Sequence, residues 1–117
     1  RVAYQGGPPG AYASARIVPA WRLAKLPAGV SEEQAAALML KGMTVEYLLE
    51  RCVTLRPGDQ ALMYAAAGGV GLLAGQWAKD KGVALIGVGA GEEKCALARA
   101  NGYAVVIDRT REDVLAR

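Results

Sequence analysis

Glycines at positions 68, 69 and 71 stand where a short apolar run, Ala61–Ala66, passes into a helix-period apolar pattern that begins at Val70. This order predicts a strand, a turn and a helix. The first N–H groups of a helix lack internal partners and carry partial positive charge, so a phosphate can lie against them where no Cβ intervenes. Gly68 would let the backbone approach a diphosphate, and Gly71 would let the helix pack closely on the strand. The pattern favours dinucleotide binding.

The segments that flank this turn predict a parallel α/β fold. Arg56-Pro57-Gly58-Asp59 predicts a turn before the strand, and Lys79-Asp80-Lys81-Gly82 predicts a helix that ends on a glycine. A second apolar run, Val83–Val88, follows at once. A helix that starts at Gly91 and closes at Asn101-Gly102 then leads to a third strand, Ala104–Ile107. Strands that alternate with helices predict a βαβαβ unit with right-handed crossovers.

Two features of the glycine segment leave alternatives open. The full dinucleotide fingerprint has a glycine where this chain has Ala66, so a plain strand–turn–helix remains possible. Residues 61–78 carry no charge, and that length alone would admit a membrane span. The four glycines within those residues favour a buried strand and helix instead, and we expect no membrane association.

Charged residues near the predicted strand ends bear on which nucleotide would bind. NAD-binding units hold the ribose 2′-hydroxyl with an acidic residue after the second strand, but Val88-Gly89-Ala90-Gly91 offers no carboxylate. Lys94 lies one turn into the next helix, and Arg109 lies just beyond the third strand. Both belong at the sheet edge of the glycine turn, where they would match a 2′-phosphate. This favours NADP over NAD; the alternative is that both are ordinary surface charges.

Bulk composition excludes several classes of function. The 117 residues contain 14 basic and 11 acidic side chains without a basic tract, so nucleic-acid binding is not expected. Histidine is absent, which excludes imidazole catalysis within the chain. Cys52 and Cys95 form no metal-ligand spacing and are interpreted as buried thiols of a cytoplasmic protein. The start at Arg1 and the end at Arg117 suggest an interior piece of a longer protein.

The first part of the chain predicts β structure and then helix. Turn residues separate three expected strands, Val2–Tyr4, Ala11–Val18 and Trp21–Leu26. Ser31 and Gln34 form a capping box for a helix that we expect to falter near Lys41-Gly42.

A second helical pattern follows, with Val45, Leu48, Leu49 and Cys52 on one face. Thr44 is placed to cap it, and Glu46 and Glu50 are interpreted as solvated charges. Near the end of the chain, Thr110 and Asp113 resemble a capping box for one more helix.

Four segments together resemble the NADPH:quinone oxidoreductases. They are Leu40–Thr44 (LKGMT), Ala65–Gly71 (AAAGGVG), Gly75–Lys79 (GQWAK) and Glu92–Lys94 (EEK). These zeta-crystallin-like enzymes are a zinc-independent branch of the medium-chain dehydrogenase/reductases. The resemblance covers essentially the whole chain.

The resemblance implies a homodimer with a GroES-like catalytic domain and a Rossmann domain. Residues 1–40 would be the C-terminal part of the GroES-like region with a connecting helix, and residues 41–117 would be the first half of the Rossmann domain. Hydride would pass from NADPH to a quinone or another electron-poor alkene. The fragment alone would be inactive.

The resemblance also assigns roles to individual residues. Thr44 would contact the nicotinamide end of the cofactor, the three residues Gly68, Gly69 and Val70 would line the pyrophosphate, and Lys94 would meet the 2′-phosphate. No catalytic residue is assigned, because the nearby Lys41 and Tyr47 are better explained as helix surface.

Three positions depart from the family pattern. Ala90-Gly91 replaces a common serine or threonine, Arg109 stands where tyrosine is common, and Gly75 stands where cysteine is frequent. Gly75 should cost about 1 kcal/mol of helix preference relative to alanine.

Two other functions remain alternatives. One is an enoyl or haloacrylate-type double-bond reductase on the same cofactor scaffold. The other is a non-enzymatic crystallin-like or single-stranded nucleic-acid-binding protein, which normally needs a basic groove with interleaved aromatic residues. The five tyrosines and two tryptophans are scattered and do not predict such a groove.

Overall fold

The computed structural model describes residues 1–116 and divides the chain into two compact units. The first is Arg1–Leu40, and the second contains the described residues from Lys41 onward. The elements in chain order are β1 (Val2–Ala3), a 3-10 turn (Ala20–Arg22), β2 (Ala24–Lys25), α1 (Glu32–Glu46), a π-helical turn (Tyr47–Cys52), β3 (Gln60–Tyr64), α2 (Gly69–Asp80), β4 (Ala84–Gly89), α3 (Glu92–Ala100), β5 (Val105–Asp108) and a 3-10 turn (Val114–Ala116).

The second unit is built on a three-stranded parallel sheet in the order β3-β4-β5. Leu62 of β3 pairs with Ile86 of β4, and Ile86 pairs with Val105 of β5, which fixes the register of the three strands. The helices α2 and α3 form the two crossovers. The Rossmann-type parallel βαβαβ fold class predicted from the sequence is therefore confirmed.

Both crossover helices end as the sequence predicts. After α2, the Val83 N–H donates to the Ala78 carbonyl (2.8 Å) and the Gly82 N–H donates to the Lys79 carbonyl (3.1 Å). With Gly82 at φ +72°, this is a Schellman motif. After α3, Asn101 caps the helix and Gly102 adopts φ +102°.

One tyrosine organises the interior of the second unit. Tyr103 is 4% exposed and packs against two glycines, Gly75 of α2 and Gly87 of β4. A Cβ on Gly75 would lie 2.7 Å from a Tyr103 ring carbon, and one on Gly87 would lie 2.9 Å from another. Gly75 is therefore required for the close approach of α2 to this ring, and no larger side chain fits there without repacking. The other buried members of the core are Val45, Leu49, Leu55, Ala66, Ala74, Ala78, Val83, Leu85, Cys95, Ala98 and Val106.

The sequence predicts that the first helix falters near Lys41-Gly42, and this prediction is wrong: α1 is continuous there. It starts at the expected capping box, where the Gln34 N–H donates to Ser31 Oγ (3.1 Å) and the Ser31 N–H donates to Gln34 Oε1 (2.9 Å). It then continues to Glu46, because one glycine costs only about 1 kcal/mol and does not stop a helix. Thr44 lies inside its last turn, so the prediction that Thr44 is an N-cap is wrong.

Two further predictions are corrected at the π-helical turn that follows α1. Val45 and Leu49 are buried as predicted, but Cys52 is exposed. A π-helical turn has more residues per turn than an α-helix, so the 3.6-residue period no longer places position 52 on the buried face. Glu50 pairs with Lys81, and Glu46 pairs with Arg51 (3.0 Å), so these glutamates are not merely solvated charges.

The first unit has less β structure than predicted. The strands β1 and β2 pair antiparallel, with Val2 opposite Lys25. Residues 11–18 form no strand, and only Ala24–Lys25 of the expected Trp21–Leu26 strand is extended and paired. Within the described residues no further strand of this unit offers a hydrogen-bonding partner, and an unpaired apolar run does not form a ladder.

The expected capping box at Thr110 and Asp113 is also wrong. The Thr110 hydroxyl donates to Asp108 Oδ1 (2.7 Å), and residues 114–116 form a 3-10 turn. Asp113 itself accepts from the Leu115 N–H (2.9 Å). Among residues 1–116, no helix is both apolar and long enough to cross a bilayer.

Candidate nucleotide-binding site

A cleft of about 400 Å³ lies at the carboxyl edge of the parallel sheet. The end of β3, the end of β4 and the residue after β5 all contribute to it, as expected for a ligand site in an open parallel α/β sheet. The lining residues are Tyr64, Ala65, Ala67, Gly68, Val88, Gly89, Ala90, Lys94 and Arg109. Gly68, Lys94 and Arg109, which the sequence predicts at one edge of the sheet, all line this cleft.

The glycine turn presents the start of α2 at this cleft. Gly68 is the N-cap in an extended conformation, and the first intrahelical bond runs from the Leu72 N–H to the Gly68 carbonyl (2.8 Å). The N–H groups of Gly69, Val70 and Gly71 therefore precede the hydrogen-bonded ladder of the helix. Their partial positive charge is suited to an anionic ligand.

The turn itself is held by a strained alanine. Ala65 adopts a left-handed φ of +54°, which costs a non-glycine residue about 1–2 kcal/mol. In this conformation its carbonyl accepts from the Gly68 N–H (2.8 Å). The chain therefore reverses tightly between β3 and α2.

Gly71 is buried and acts in packing rather than as a wall of the cleft. A Cβ at this position would lie 2.6 Å from the Ala66 carbonyl oxygen and 2.8 Å from the carbonyl carbon. Only glycine lets the first turn of α2 approach the backbone of the turn that follows β3 this closely.

Lys41 lies beside the first turn of α2, which sequence reasoning did not foresee. A Cβ on Gly69 would lie 2.8 Å from Lys41 Cε and 3.2 Å from Lys41 Nζ. The absence of a side chain at Gly69 thus makes room for an ammonium group at the helix start. A cation beside partial positive charge is electrostatically unfavourable in isolation, whereas a bound diphosphate would compensate both.

Thr44 and Val70 are half-buried and do not line the cleft. Thr44 has its place in the last turn of α1, three residues after Lys41. Gly69 is exposed at the start of α2.

Asp108, which directly precedes the cleft residue Arg109, is a second residue whose role the sequence did not predict. Its Oδ1 accepts from the Gly91 N–H (2.9 Å), the Thr110 N–H (3.0 Å) and the Thr110 hydroxyl (2.7 Å). These bonds, that from Gly91 foremost, lower the pKa of Asp108 to about 2, so it is ionised at neutral pH. The available signal was a carboxylate at the end of an apolar strand with a threonine two residues later.

The chemistry of the described residues points to anion binding. Within residues 1–116, no group of three or more His, Cys, Asp or Glu side chains could hold a metal ion. A parallel βαβαβ unit with a glycine turn and two cations at its carboxyl edge has the Rossmann-type fold, in which nucleotides bind at this edge.

Comparison with known proteins finds relatives along the whole chain. No protein-family model matches the chain. The quinone oxidoreductase of Pseudomonas aeruginosa is 50% identical over all 117 residues, which span 36% of its length. The crystal structure of Escherichia coli quinone oxidoreductase complexed with NADPH superposes with a TM-score of 0.93 at 46% identity, covering 99% of this chain and 36% of that one. The 2-haloacrylate reductase of a Burkholderia species is 41% identical over 108 residues, 91% of this chain and 32% of its own. The chain is homologous to quinone oxidoreductases along its whole length and spans about a third of the length of these relatives.

Proposed function

We propose that the chain is the nucleotide-binding part of an NADPH-dependent quinone reductase. Its relatives include quinone oxidoreductases, one of them crystallised with NADPH. The observation that carries the proposal is the cleft that Gly68, Lys94 and Arg109 line together. We infer that a longer protein, hereafter the parent protein, contains this chain.

The diphosphate of NADPH would lie on the glycine turn. The Gly69 and Val70 N–H groups would donate to it, Gly68 would allow the backbone to approach, and Gly71 would keep the helix in place. Lys41 would add a positive charge beside the same turn, since its side chain lies against Gly69.

The 2′-phosphate would be bound by the two cations of the cleft. Lys94 supplies a compact charge from the first turn of α3, and Arg109 supplies a planar group suited to paired hydrogen bonds with phosphate oxygens. Ala90 and Gly91 place no carboxylate there that would repel the phosphate. These residues therefore favour NADPH over NADH.

The remaining parts of the proposal follow from the family. When bound, the nicotinamide supplies a hydride to the acceptor. Thr44 would contact the nicotinamide end, and residues 1–40 would belong to the catalytic domain. The parent protein would be a cytoplasmic homodimer. No residue of this chain is proposed as a general acid or base.

The proposal is tested by quinone turnover. Purified parent protein should oxidise NADPH when a small para-quinone is added, and should do so faster than with NADH. The matched control is the same reaction with no quinone. A parent protein that binds NADPH but transfers no hydride to any ortho- or para-quinone would contradict the assignment.

A double-bond reductase is the second candidate. The observation in its favour is the 41% identity to the Burkholderia 2-haloacrylate reductase. Comparing kcat/KM for a quinone with kcat/KM for an α,β-unsaturated acid or enone separates the two. A higher value for the alkene would favour this candidate and leave the nucleotide site unchanged.

A further inference from the structure

A single carboxylate oxygen joins the two segments that carry the cations of the cleft. Oδ1 of Asp108 accepts from the Gly91 N–H at 2.9 Å and from the Thr110 N–H and hydroxyl at 3.0 and 2.7 Å. Gly91 lies three residues before Lys94, and Thr110 directly follows Arg109. The oxygen therefore ties the start of α3 to the end of β5.

The other oxygen of Asp108 lacks a hydrogen-bond donor. Asp108 is 5% exposed, and Oδ2 has no hydrogen-bond partner among residues 1–116. Arg111 Nε lies 4.0 Å away, too far for a hydrogen bond. Within the described residues, the hydrogen bonds of this carboxylate are therefore made by the oxygen that joins the two segments.

We propose that Asp108 is a positioning residue that holds Lys94 and Arg109 at the spacing needed to bind one nucleotide 2′-phosphate together. It thereby sets the discrimination between NADPH and NADH. The inference rests on the proposed function and adds to it the residue on which its specificity depends. Asp108 acts through Gly91 and Thr110 and does not itself touch the nucleotide.

The physical reason is that two long cationic side chains on separate segments do not converge unaided. They repel each other, and each loses rotamer freedom when it is held in one place. Fixing both backbone segments to one oxygen orders the backbone before the ligand binds, so that only the two side chains remain to be ordered. The Arg109 N–H also donates to the Gly89 carbonyl (3.1 Å), so the backbone of Arg109 is anchored on both sides.

Three variants of the parent protein test the role of Asp108. Asp108→Ala removes the shared acceptor, Thr110→Val removes only the hydroxyl donor, and Asp108→Asn keeps an oxygen at the Oδ1 position. Asp113→Asn is the matched control, because it changes an exposed carboxylate that accepts from the Leu115 N–H. Dissociation constants for NADPH and NADH are measured by titration, and unfolding midpoints show whether each variant folds.

The ratio of the two affinities is the deciding quantity. Asp108→Ala should weaken NADPH binding about tenfold, the scale of one charge-assisted contact, and leave NADH binding unchanged. The Asp108→Asn and Asp113→Asn variants should both keep the affinity ratio of the wild-type protein. An unchanged ratio in Asp108→Ala, or an equal loss for both nucleotides, would overturn the inference.

Two further outcomes have defined meanings. If Asp108→Ala does not fold, Thr110→Val decides: NADPH binding should weaken about threefold with NADH binding unchanged, and an unchanged ratio would overturn the inference. Equal affinity of the wild-type protein for both nucleotides would overturn the proposed NADPH preference itself, and the inference with it.

Discussion

The hydroxyl of Tyr103 donates a hydrogen bond to the carbonyl oxygen of Gly71 across 2.8 Å of the protein interior. The two residues are 32 positions apart, and Gly71 lies in the first turn of α2. The bond therefore connects the segment that precedes β5 to the helix start that forms the glycine turn. Gly75 and Gly87 leave room for the same ring, so α2, β4 and Tyr103 depend on one another.

Tyr103→Phe should lower the free energy of unfolding of the parent protein by about 1 kcal/mol, because the Gly71 carbonyl loses a buried donor. Chemical denaturation of the wild-type and variant proteins measures the difference. Tyr64→Phe is the matched control, since Tyr64 is exposed and should change stability little. Equal losses in the two variants would show that the Tyr103 hydroxyl has no such role.

The same tyrosine predicts a response to alkaline pH. Burial raises the pKa of Tyr103 from its ordinary value of 10 to about 12. The stability that the neutral hydroxyl contributes is thus complete below pH 10 and is lost as the pH rises through 12. The advantage of the wild-type protein over Tyr103→Phe should shrink between those values. A constant difference across that window, measured by denaturation at each pH, would contradict the burial of this group.

Substitution by alanine should lower the stability of the protein at Gly71 but not at Gly69. Gly71→Ala places a Cβ against backbone carbonyl atoms, which cannot move aside, and should destabilise the protein by about 1–3 kcal/mol. Gly69→Ala meets only the flexible end of Lys41 and should fold normally. Thermal unfolding of both variants checks this. Comparable midpoints would mean that Gly71 does not lie as close to the Ala66 carbonyl group as described.

Lys41→Met should weaken NADPH and NADH equally. Lys41 lies beside the helix start, where the diphosphate shared by both nucleotides would bind, and methionine keeps most of the aliphatic length. A loss of about threefold to tenfold for each is expected for one exposed phosphate contact. Lys25→Met, in the first unit, is the control. If Lys41→Met impairs NADPH alone, Lys41 acts on the 2′-phosphate instead.

Much of the fold could be predicted because its signals are local. The glycine C-caps at Gly82 and Gly102 and the capping box at Ser31 each act within a few residues, so their sequence patterns were sufficient. The failures involve partners that are distant in sequence. Residues 11–18 have strand-like composition, but a strand needs a neighbour that composition does not reveal.

The candidate site likewise contains some residues whose place the sequence predicts and others whose role only the structure reveals. The alternation of strands and helices is sufficient to predict Gly68, Lys94 and Arg109 at one sheet edge. Lys41 was interpreted as helix surface, because only the structure shows which residue its side chain meets. Gly75 was interpreted as a loss of helix propensity, whereas the structure shows close packing with Tyr103. Asp108 was missed because its partners, Gly91 and Thr110, act through backbone groups as well as a side chain.

The most direct test of the central claim is titration of the parent protein with NADPH and NADH, in the wild type and in Lys94→Gln/Arg109→Gln. We expect the wild type to bind NADPH more tightly, and the double variant to lose that preference while it retains its NADH affinity. Wild-type binding of NADH that equals or exceeds that of NADPH would contradict the account. So would a double variant whose preference for NADPH is undiminished.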